Sequence, residues 1–92
     1  MFKVLSYAVR LQIVDPWAKL ILLAMASSAT EFNDIVLDVR LASLASGIIT
    51  ERGVMEKVDH LVSIGVLYRC GSEFRGKRCF GIHQNLEGRA LQ

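Results

Sequence analysis

The sequence predicts an α+β domain in which three helices precede a two-stranded hairpin, and three observations carry that expectation. "PWAKLILLAMASS" and "ERGVMEKVDHLVSIG" have the hydrophobic spacing of helices, and each is preceded by a capping residue, Asp15 or Thr50. "VRLASLAS", between them, follows Asp38 and stops at Gly47. The C-terminal third, with "VLYRC" and "RCFGIHQ", is rich in β-formers and broken by glycine.

Taken in order, residues 1–14 form an N-terminal arm or strand, because Val9, Leu11 and Ile13 alternate with Arg10 and Gln12. Asp15-Pro16 then starts a helix, since proline at the first helical position gives up an N–H that has no helical partner. Trp17, Leu20, Ile21, Ala24, Met25 and Ser28 share one face, and Leu22 and Leu23 make the opposite face apolar too. Such a helix belongs in the centre of a core or against a second subunit. "SSATEFND" ends it, and "IVLD" is long enough only for a small strand.

Asp38 caps the next helix, whose apolar side is Leu41, Leu44 and Ala45. In the helix after Thr50, Val54, Val58 and Leu61, with Val62 or Ile64, form the inward stripe, and Gly65 closes it. The hairpin loop is expected within "GSEFRGK", with Phe74 as an exposed aromatic at its tip. The whole reads as one domain over residues 1–92: arm 1–14, helical core 15–67, hairpin 66–84 and a frayed or partly helical tail 85–92.

Composition narrows the function. At 52% hydrophobic and 22% charged, the chain is no disordered linker, and it is oily for 92 residues. That surplus of apolar side chains predicts a homodimer built through the arm and the first of the three helices. "LILLAMA" falls well short of the roughly 18 apolar residues that a membrane span needs. "KLILLAMASSA" has the cation, apolar stretch and small residues of a signal peptide, but Asp15-Pro16 just before it reads better as a helix start, so a cytoplasmic protein is expected.

Cys70, Cys79, His60 and His83 lack the CxxC or regular histidine spacing of a metal site, so neither metal nor cofactor is expected. Without a nucleophile–base pair, glycine-rich phosphate loop or HExxH motif, the chain does not read as an enzyme.

Net charge is only +2, but it is unevenly spread: Arg69, Arg75, Lys77 and Arg78 face a single acid, Glu73, in one short segment. Two helices joined at Gly47, the second starting at Thr50, form a helix-turn-helix, and the hairpin makes it a winged helix. Double-stranded DNA is the partner this arrangement suggests. Thr50, Arg52 and Lys57 lie on the helix that would enter the groove, and Arg69, Arg75, Lys77 and Arg78 on the wing would neutralise phosphates. Glu51, Glu56 and Asp59 on the same helix repel phosphate, so either its contacts are limited to Thr50, Arg52 and Lys57 or the wing and arm supply most of the affinity.

"PWAKLILLAMASSA" followed by "LASLASGIITERGVMEKVDHLVSIGVLYR" resembles the winged helix-turn-helix domains of replication initiators and related regulators of phages, plasmids and other mobile elements. In that pattern a Ser or Thr cap stands four residues before a Val, with Leu seven and Gly eleven residues after the Val; Thr50, Val54, Leu61 and Gly65 match. The resemblance implies sequence-specific binding at repeated or palindromic sites, as the origin-binding domain of a replication initiator, with replication or transcription proteins as further partners. A small transcriptional repressor is the nearest alternative. A dimeric protein-interaction winged helix that does not bind DNA is the alternative from another class.

Overall fold

A computed structural model describes residues 3–29 and 34–92 of the chain; the side chains of Ser72 and Phe74, and with them the expectation for Phe74, lie outside the described residues. The elements are α1 (Val4–Arg10), β1 (Gln12–Ile13), α2 (Pro16–Ala26), β2 (Ile35–Val36), α3 (Val39–Ser46), α4 (Glu51–Ser63), β3 (Leu67–Phe74), β4 (Lys77–Ile82) and β5 (Ala90–Leu91). Together they make an α+β domain in which helices cover one small antiparallel sheet of order β2-β4-β3.

α2 is the centre of the core. The Asp15 carboxylate accepts from the Trp17 and Ala18 N–H groups at 3.0 and 3.2 Å, and the helix then buries Ala18, Ile21, Leu22 and Met25 almost completely. Burying each of the larger three is worth about 1.5–3 kcal/mol relative to leaving it in water. The apolar "LILLAMA" is thus covered largely within its own chain.

Part of that cover comes from the segment expected to be an extended arm, beside α3 and α4. Residues Val4–Arg10 form a helix instead. Val4, Tyr7, Ala8 and Leu11 recur at helical spacing and are all buried against α2, so the 3.6-residue period of the whole segment prevails over the two-residue alternation of its second half. Extended backbone begins only at Leu11. Lys19 Nζ reaches back from α2 to the carbonyls of Val9 and Leu11, satisfying acceptors that the end of α1 leaves open, and burial lowers its pKa.

The tail is ordered by the same region rather than frayed. Tyr7 Oη donates to the His83 carbonyl at 2.8 Å and accepts from the Leu86 N–H at 3.1 Å. Further on, β5 pairs in parallel with β1, the Val14 N–H donates to the Leu91 carbonyl at 2.9 Å, and the Leu91 side chain is buried.

α3 also departs from expectation. Asp38 does cap it, accepting from the Leu41 N–H at 3.2 Å, and Gly47 ends it. Its buried positions are Ala42 and Ser46, however, while Leu41, Leu44 and Ala45 face outward and Leu44 is 75% exposed. Hydrogen bonding explains the rotation. Ser43 Oγ donates to the Ile48 carbonyl, and Ser46 Oγ donates to the Ala42 carbonyl at 2.7 Å while accepting from the Ile48 N–H at 3.2 Å. With both serines turned inward, the turn after α3 has its polar groups satisfied.

α4 follows expectation, with Val54, Val58 and Leu61 fully buried. The hairpin is longer and tighter than "GSEFRGK" suggested. β3 runs on to Phe74 with an irregularity between Arg69 and Glu73, and the chain reverses over Arg75 and Gly76 alone. Both have positive φ, 53° and 77°, as a two-residue turn matched to strand twist requires. Ile35 and Val36 pair with Phe80 and Cys79 on the other edge of β4, which fastens the hairpin to the helices.

Candidate nucleic-acid interface

The surface that matters is built around the start of α4. Thr50 Oγ1 accepts from the Gly53 N–H at 3.0 Å, fixing the direction of the first turn. Gly53 lets that turn sit tightly on the preceding one, since a Cβ there would stand 2.6 Å from Ile48 Cγ2. Beyond the cap, Arg52, Glu56 and Asp59 follow at i, i+4 and i+7 on the outward face.

Beside this turn, the N-terminal ends of α3 and α4 and the hairpin enclose an open groove of about 420 Å³. Arg40, Lys77 and Arg78 contribute cations to its wall, Asp38 and Glu51 contribute acids, and Met55 lines it as well. Arg75 stands at the exposed hairpin tip, and Arg69 lies near the hairpin base.

Three of these cations pair with carboxylates. Arg52 pairs with Glu56 at 3.6 Å, Arg69 with Asp59 at 2.5 Å and Lys77 with Asp38 at 3.2 Å. The Asp38 carboxyl is held below its ordinary value of 3.8, first by the hydrogen bond from the Leu41 N–H and then by the one from Lys77.

Of the seven residues expected to meet DNA, the structure brings Lys77 and Arg78 to the groove beside Glu51 and Met55 of α4, while Thr50 caps that helix, Arg52 lies on its exposed face and Arg75 stands at the hairpin tip. Arg69 sits at the junction of α4 and β3. Lys57 is removed from the set. Its ammonium pairs with Asp15 at 2.5 Å and lies 5.4 Å from the centroid of the Trp17 ring, so it ties α4 to the start of α2. The physical reason is the capping carboxylate, which offers a charged partner in a half-buried place. Arg40 was not expected. It follows the Asp38 cap by two positions on the first turn of α3, and a cation so close to a cap that abuts the hairpin is the signal that could have found it.

No family model, curated protein or solved structure matches this chain. Its chemistry is therefore read from its own side chains. Cys70 is exposed and Cys79 is buried. The His83 ring lies against Tyr68 with centroids 4.8 Å apart. Among the described residues, no three His, Cys, Asp or Glu side chains are grouped to hold a metal ion, and no helix is long and apolar enough to cross a membrane.

Proposed function

We propose that this protein is a winged helix that binds double-stranded DNA in a sequence-specific manner, as a dimer at repeated or palindromic sites. The observation that carries the reading is the placement of the hairpin. Strand β2, inserted between α2 and α3, pairs with β4, so the hairpin is fastened beside the N-terminal turns of α3 and α4. The first turn of α4 would enter a major groove while Arg75, Lys77, Arg78 and Arg40 meet the flanking phosphates. The resemblance to mobile-element initiators puts origin binding first and repression of transcription second.

Site selection on random duplex DNA tests this directly, and enrichment of a repeated motif is the expected result. On the selected site, replacing Arg75, Lys77 and Arg78 together with Ala should weaken binding and flatten the slope of log affinity against log salt by roughly one per lost contact. Arg52→Ala should instead lose about 1–3 kcal/mol of discrimination with little change in slope. No enrichment, together with unchanged binding by both variants, would reject the reading.

A protein-interaction module is the second reading, and two observations favour it. The outward face of α4 carries Glu56 and Asp59, and Leu44 and Ile49 beside the α3–α4 turn are 75% and 92% exposed.

A further inference from the structure

Three outward cations of the candidate interface, Arg52, Arg69 and Lys77, are matched with acids of the same chain. Asp59 on α4 holds Arg69 on β3, and Asp38 before α3 holds Lys77 on β4, so both pairs bridge separate elements; Glu56 holds Arg52 within α4. All three are solvated, with the Arg69 and Asp59 side chains 55% and 58% exposed. Solvated ion pairs are weak, so they exchange readily, but they are not neutral toward DNA. A cation reaches a phosphate only by leaving its carboxylate, and the carboxylate then faces the phosphates alone.

Resting on the DNA-binding reading above, we propose that Asp38 and Asp59 are specificity determinants: they compete with phosphate for Lys77 and Arg69 and so suppress binding to random duplex. Random DNA offers little besides phosphate contacts, so the competition falls hardest on it. At a true site, base contacts from the start of α4 hold the helix in place and supply what the exchange requires. Specificity is a difference of affinities, and this arrangement widens the difference by lowering the unwanted one.

The test compares substitutions that each remove one negative charge. Asp38→Asn and Asp59→Asn release a paired cation, and Asn keeps the capping ability of position 38. Glu51→Gln removes an acid of the same surface that forms no ion pair among the described residues. Binding of the full chain to a random-sequence duplex is followed by fluorescence anisotropy through a salt titration. The two Asn variants should bind several-fold more tightly than Glu51→Gln and steepen the log–log slope by about 0.9 per released cation.

If the pair-breaking variants gain no more affinity or slope than Glu51→Gln while the unaltered chain binds DNA, the acids act only through overall charge and the proposal is overturned. If neither the unaltered chain nor any variant binds duplex, the DNA-binding reading falls and takes the proposal with it.

Discussion

Asp15 shows how much one carboxylate can organise. It caps α2 through two backbone N–H groups and draws Lys57 across from α4. Burial pushes its pKa upward, but the hydrogen bonds from Lys57, Ala18 and Trp17 outweigh burial and leave it below 3.8. A folded-state pKa below the unfolded one stabilises the fold above the unfolded value, and the stabilisation is lost as pH falls through the folded value. Asp38 has the same sign. Thermal melting from neutral pH to below 3.8 should therefore show Asp15→Asn losing less stability on acidification than the unaltered chain. Equal losses would mean that Asp15 is not held low.

α3 is the element whose environment composition misrepresents most. Its leucines face water while Ala42, the small residue, meets the core. Leu44→Gln should then change stability by no more than about 0.5 kcal/mol, whereas Ala42→Leu should cost about 1–3 kcal/mol by overpacking, both read from chemical denaturation. The reverse order would restore the expected apolar face. Helix caps and long periodic stripes were legible in the sequence because they depend on neighbours within one turn: Asp15, Asp38 and Thr50 all act as anticipated. The helix at Val4–Arg10 was legible in the spacing of Val4, Tyr7, Ala8 and Leu11 but masked by the alternation that follows, whereas the rotation of α3 and the partners of Lys57 were not legible. Each is decided by a contact with a residue distant in sequence or by a backbone group whose need appears only after folding. The candidate interface was half visible for the same reason. Positions of cations can be counted along a chain, but Asp38 meets Lys77 only because β2 draws β4 to the helices.

At the scale of the molecule, the covering of α2 by α1 removes part of the original ground for dimerisation and relocates the rest. Leu5 and Val9, one helical turn apart on the outer side of α1, are 44% and 56% exposed, and Trp17 and Leu20 at the start of α2 are 52% and 39% exposed. A dimer formed through this half would cover them and leave the α4 start and hairpin accessible to DNA. Light scattering at micromolar concentration should give the mass of two chains, and Leu5→Glu combined with Val9→Glu should return it to one. A single-chain mass for the unaltered protein would reject the dimer.

The clasp between the first and last segments has a temporal meaning. Tyr7 and His83, joined by a hydrogen bond, are 76 positions apart, and closing a loop of that length carries an entropy penalty of roughly 4 kcal/mol from chain length alone. The contacts that reward closure are few: the buried Leu91, the partly buried Leu86, a two-residue ladder, the tyrosine hydroxyl and the solvated Arg10–Glu87 ion pair. The helices and hairpin, made of near neighbours, have no such debt. In a folding chain the clasp would close last, and in the native ensemble it would open first, exposing the Val14 and Leu86 amides to solvent hydrogen well before those in the middle of α2.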